Sequence, residues 1–180
     1  MHKRTKISFG LLFLLGYGAL VFLYPISAFW WHLRHGNSIK YVNTSIFVPP
    51  GWTTTTTSRM AVLSKRSVTI FSKLDVLAMV APSPIPNPPT TESTKEDLYK
   101  SFPSVYWASD MVKGRSTVKG PIRLGPDENE AICMQSTSVD KPNLTELFCL
   151  IHRGRWQATF EGRPQELDEF YRIILSPPGE

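Results

Sequence analysis

The stretch Ala131–Phe160, "AICMQSTSVDKPNLTELFCLIHRGRWQATF", decides how this chain folds. "AICMQSTS" (Ala131–Ser138) and "LTELFCLIH" (Leu144–His152) are rich in residues that suit a pleated surface. Between them, Asp140-Lys141-Pro142-Asn143 is turn chemistry. His152-Arg-Gly-Arg155 separates the second strand from "WQATF", and Gly154 can take the positive φ of a tight hairpin. Trp156, Ala158 and Phe160 alternate with Gln157 and Thr159, so the third strand has one apolar face. The pattern predicts three consecutive antiparallel strands.

Cys133 and Cys149 are the only cysteines, and each stands eight residues from Lys141. A loop of three or five residues centred on Lys141 would set them directly opposite each other. Opposed residues on antiparallel strands share a face with Cβ atoms about 4.5–5.5 Å apart. A small adjustment then reaches the roughly 3.5–4.5 Å of a disulfide. Such a bridge persists only in an oxidising compartment. The rival reading is two separate buried cysteines acting as small hydrophobes. A metal site would lack ligands, since only His152 lies nearby. A catalytic thiol would need a base and an electropositive pocket that nothing here specifies.

Outward from this hairpin, Pro164 opens "PQELDEFYRIILS", in which Leu167, Phe170, Tyr171 and Ile174 recur at i, i+3, i+4 and i+7. That is an amphipathic helix, stopped by Ser176-Pro-Pro-Gly179. Upstream, "YVNTSIFVPPGW" (Tyr41–Trp52) reads as one opening strand, and "TTTTTS" (Thr53–Ser58) as a polar loop or strand edge. "MAVLSKRSVTIF" (Met60–Phe71) fits a hairpin around Ser64–Arg66, and "VLAMVAP" (Val76–Pro82) a buried strand. The proline-rich Pro82–Thr94 is a connection. Ser93-Thr-Lys-Glu96 has capping-box spacing for a short helix through Leu98, Tyr99 and Phe102, interrupted by Pro103. A further helical turn over Ser104–Lys113 and a strand over Ser116–Gly125 complete the chain. The expected architecture is α+β: an antiparallel sheet packed by a C-terminal helix and a shorter mid-chain helix, preceded by one transmembrane helix.

A strand ending in Val48-Pro-Pro-Gly-Trp52, a mid-chain helix and a closing antiparallel run into "FEGRPQELDEFYRIILS" together resemble the PsbP-like α+β domains. The resemblance covers most of Tyr41–Ser176. It implies an extracytoplasmic accessory or binding module rather than an enzyme, and it assigns no site residue.

The N-terminus supplies the location. Residues 1–6 are a basic leader, and Ile7–Trp31 runs 25 residues without a charge. About 20 apolar residues cross the hydrocarbon core as a helix. Lys3, Arg4 and Lys6 favour a cytoplasmic N-terminus, and Tyr24, Phe29, Trp30 and Trp31 suit the far interface. The predicted division is a span at 7–31, a juxtamembrane linker at 32–40, an exported domain at 41–176 and a tail at 177–180. The chain would then be a single-pass protein of the inner or plasma membrane with its domain in the periplasm or outside the cell. A signal peptide cleaved near Ala28 is the rival, although its apolar region would exceed the usual length of about 7–15 residues.

No catalytic constellation is visible. His152 is the only histidine in the exported domain, and no nucleophile elbow, phosphate-binding glycine loop or H-E-x-x-H occurs. Asp127, Glu128 and Glu130 read as a solvated turn, as do His152, Arg153 and Arg155. Asn43-Thr-Ser45 and Asn143-Leu-Thr145 match the glycosylation acceptor. Beyond the leader, 17 Lys/Arg face 15 Asp/Glu, too even a balance for nucleic acid. The expectation is a non-catalytic domain with no cofactor and no metal, acting on a protein partner or ligand. The alternative is an exported hydrolase built on His152.

Overall fold

The computed structural model describes residues 12, 15–18, 26–42, 44–66, 75–83, 92–107, 115–125, 131–151 and 154–175. A helix over 26–35 (α1) leads into the strands Ser38–Tyr41 (β1) and Thr44–Phe47 (β2), which pair as a separate hairpin. Then come Thr53–Thr56 (β3), Ala61–Arg66 (β4) and Asp75–Pro82 (β5), followed by the helix Glu92–Trp107 (α2). Arg115–Leu124 (β6), Ala131–Ser138 (β7), Thr145–Ile151 (β8) and Trp156–Gly162 (β9) precede the last helix, Leu167–Leu175 (α3). Seven strands form one antiparallel sheet in the order β3-β4-β5-β9-β8-β7-β6. The fold is α+β.

A helix covers each face of this sheet, and the strand sequences show why. Along β8, Leu147, Cys149 and Ile151 join one core with α3, while Phe148 and Leu150 join another with α2. All seven residues of β8 are buried, and from Leu147 to Ile151 it reads as a continuous apolar run rather than an alternation. Towards β5 and β9 only the α3 face is closed: Val76, Ala78, Val80, Ala158 and Phe160 are buried between half-exposed neighbours. Gly162 lies where a Cβ would come within 2.6 Å of Phe160 Cζ and 2.7 Å of Val76 Cγ1. Gly162→Ala is therefore expected to cost on the order of 1–3 kcal/mol by overpacking, read as a lower denaturant midpoint.

The β7–β8 hairpin has the register expected from its turn. Ser136 pairs with Glu146 and Cys133 with Cys149, a ladder centred on Lys141. β7 ends at Ser138 as expected, but the pairing stops at Ser136 and Glu146, leaving a longer loop in which Lys141 O accepts from Leu144 N at 3.1 Å with Pro142 leading the turn.

Three local expectations are corrected. Tyr41–Trp52 is not one strand: Tyr41 closes β1 and pairs back onto Thr44, and β2 ends at Phe47. Val42 turns that corner at φ +43°, a conformation in which a β-branched residue is strained. Asn tolerates it better, so Val42→Asn at this exposed position should stabilise by about 0.5–1 kcal/mol in thermal or denaturant unfolding. Ser64–Arg66 is strand rather than turn, since all three residues pair with β5 and Ser64 also pairs with β3. Of the two readings of Thr53–Ser58, the strand edge holds: Thr53–Thr56 is edge strand β3.

The mid-chain helix is the longer of the two that cover the sheet, and it runs through Pro103. Interior proline costs about 3 kcal/mol. Phe102 and Tyr106, on either side of it, are buried against Phe148 at ring distances of 5.7 and 6.1 Å. Burying one large apolar side chain stabilises by about 1.5–3 kcal/mol, so the two together offset the proline. The outer face is tied to β6: Tyr99 Oη donates to Pro121 O, Arg123 lies 4.0 Å over the Tyr99 ring, and Arg123 pairs with Glu96. That hydrogen bond from Arg123 holds the Glu96 carboxyl below its ordinary value.

Among the described residues no helix is long and apolar enough to cross a membrane. Of the expected span 7–31, only residues 12, 15–18 and 26–31 are described, all of them helical. The stretch expected as a juxtamembrane linker, 32–40, carries regular structure. It stays helical through His35 and enters β1 at Ser38.

Candidate binding surface

α3 sits on the sheet by its apolar stripe. Phe170 and Ile174 are buried, as is Ile173, while Leu167 and Tyr171 lie at the margin of the core. The helix is locked from the side by a carboxylate. Glu169 accepts from Lys65 Nζ at 2.8 and 2.7 Å, and from Trp52 Nε1 at 2.6 Å. Lys65 can do this because it stands in register with Val76, on the α3 face of the sheet. Trp52 is fully buried, so removing Glu169 would strand its indole N–H. Glu169→Ala should cost about 1–3 kcal/mol in denaturant unfolding, with Lys65→Met costing less because Trp52 keeps its acceptor.

Held in this way, the outer edge of α3 and the strand β2 enclose an open depression of about 410 Å³ lined by Phe47, Tyr171, Arg172 and Leu175. Its walls are apolar, with a guanidinium and a phenol at the rim. Burial, and secondarily the Asp168 carboxylate, push the Tyr171 phenol above its ordinary value of 10.0. A raised folded-state value means the phenol's contribution is complete below the unfolded value and lost as pH rises through the folded one. As pH rises above about 10, melting should therefore fall more steeply in the native protein than in Tyr171→Phe. Chemically, the depression suits an apolar group beside an acceptor or anion. Its described lining residues include no nucleophile–base pair.

The residues singled out in the sequence fall elsewhere. Cys133 and Cys149 form a disulfide with Cα atoms 4.1 Å apart, and both are fully buried in the core beneath α3. His152, Arg153, Asp127, Glu128, Glu130 and Asn43 lie outside the described residues. Asn143 and Arg155 are exposed on turns. Among the described residues no three His, Cys, Asp or Glu side chains gather as they would around a metal ion. Sequence reasoning missed the Lys65–Glu169–Trp52 linkage, whose Trp52 and Glu169 are 117 residues apart. It also missed the depression, which has no local signature.

The fold and this surface define an α+β domain with a helix-covered antiparallel sheet and a shallow apolar recess. No family model matches the chain, and neither does any curated protein.

Proposed function

We propose that this chain is a single-span membrane protein whose PsbP-like α+β domain works in the periplasm or outside the cell as a non-catalytic module. It engages a protein partner or ligand through the recess at Phe47, Tyr171, Arg172 and Leu175. That recess is the observation that carries the binding reading. The buried Cys133–Cys149 disulfide supports an oxidising location, and the uncharged run Ile7–Trp31 supports the anchor. Fold likeness alone would not assign the role.

A photo-crosslinking residue at Leu175 in the membrane-resident protein should trap a discrete partner or ligand. The same residue at Thr55, exposed on edge strand β3, should not. Equal labelling from both positions would refute the recess as the binding site. Hydrolysis of ester or peptide substrates that is lost in His152→Ala would favour the exported hydrolase instead. Protease added to spheroplasts should degrade the domain, whereas protection until lysis would place it in the cytoplasm.

A further inference from the structure

α1 has two unlike sides. On one, Ala28 is buried, Trp31 packs against the core beneath α3, and His32 Nε2 lies 3.0 Å from Pro49 O. His32 Nδ1 also lies 3.0 Å from Gly36 O, and Val48 N donates to Asn37 O at 2.9 Å. These contacts dock the helix on the domain. On the other side Ile26, Phe29, Trp30 and Leu33, at i, i+3, i+4 and i+7, are 50%, 63%, 53% and 64% exposed. Such a stripe normally faces a core. Here the domain's own packing turns it outward.

Two observations identify what covers it. The first is length. At about 1.5 Å per residue the 25 uncharged residues Ile7–Trp31 extend roughly 37 Å, against a hydrocarbon core of about 30 Å. The surplus, about five residues, places Phe29 and Trp30 at the headgroup level, where aromatic rings settle. The second is charge. Residues 32–74, beyond the span, hold six Lys/Arg and no Asp or Glu, whereas residues 75–180 hold 11 Lys/Arg against 15 Asp/Glu. Exposed Arg34 and Lys40 follow the stripe directly, the pattern of an interfacial helix on anionic lipid.

We propose that Ile26, Phe29, Trp30 and Leu33 lie in the headgroup–acyl boundary of the extracytoplasmic leaflet, with Arg34 and Lys40 at the lipid phosphates. Because α1 is docked, the domain is carried against the bilayer in one orientation rather than on a tether. This rests on the reading of 7–31 as a span. The full chain holds no free cysteine among the described residues, so single cysteines introduced at Leu15, Phe29, Leu33 and Ser27 can be spin-labelled with the native disulfide intact. The labelled proteins go into phosphatidylethanolamine–phosphatidylglycerol vesicles, and collision with oxygen is compared with collision with a water-soluble nickel chelate.

The oxygen-to-nickel ratio at Phe29 and Leu33 should exceed that at exposed Thr55, labelled in parallel, several-fold. Leu15 should be the most oxygen-accessible of all. If Leu15 is in lipid while Phe29 and Leu33 meet nickel freely, the interfacial proposal is overturned and the span stands. Should Leu15 also meet nickel, with the protein released by alkaline carbonate, the span itself fails. Shielding of Phe29 and Leu33 from both probes would mean that protein covers the stripe, which also overturns a lipid contact.

Discussion

Phe170→Ala should lower the unfolding free energy by about 3–5 kcal/mol, a large part of the 5–15 kcal/mol typical of a domain. The side chain is fully buried, its ring centroid 4.9 Å from that of Phe160 and 6.2 Å from that of Tyr171. Truncation removes the transfer free energy of the ring and leaves a cavity between a helix and a sheet that cannot close over it. Since α3 is only nine residues long, it has little stability of its own and depends on this contact. The melting temperature should fall by roughly 6–20 °C. Urea unfolding with an unchanged m-value would assign the loss to the native state. An unchanged midpoint would mean that α3 does not dock on the sheet. Because α3 also forms one wall of the recess, crosslinking from Leu175 should weaken in the same variant.

Replacing both Cys133 and Cys149 by alanine should cost about 2–5 kcal/mol. The bridge closes a loop of sequence separation 16, for which the unfolded-chain argument alone gives about 3 kcal/mol. It links β8 to β7, the strand beside edge strand β6, and Cys149 stands in register with Ala158 on β9, so the bridge also fills the core. Full burial of both sulfurs means that a reductant reaches them chiefly through unfolding. Mild reduction should therefore be slow in the native protein and fast in denaturant. Alkylation followed by mass spectrometry of protein from its native compartment should find no modified thiol at either position. Two alkylated cysteines there would remove the support for an oxidising location.

Much of the second half of the fold was legible in order. Asp140–Asn143, Gly154 and Pro164 punctuate "AICMQSTS", "LFCLI", "WQATF" and the final amphipathic helix, and each boundary depends on residues a few places apart. The first half resisted. Val42 gives no turn signal, yet the corner falls there because Ile46 and Tyr41 must both reach the core beneath α3. Ser64–Arg66 looks like a turn in isolation, and pairing with Asp75–Leu77 of β5 makes it strand.

By itself the sequence determined the α+β class, the strand–turn–strand register about Lys141 and hence the facing of Cys133 and Cys149, and the stripe of α3. Periodicity and turn chemistry are local, and a one-residue slip would have turned every side chain of the cysteine strands to the wrong face. Only the tertiary structure decided that α2 runs through Pro103, that Glu169 joins Lys65 and Trp52, that Phe47 meets Tyr171 and Leu175 around a recess, and that α1 turns Ile26, Phe29, Trp30 and Leu33 away from the domain. These depend on contacts between residues distant in the chain, whose energies outweigh local preference, and no short window of sequence contains both partners.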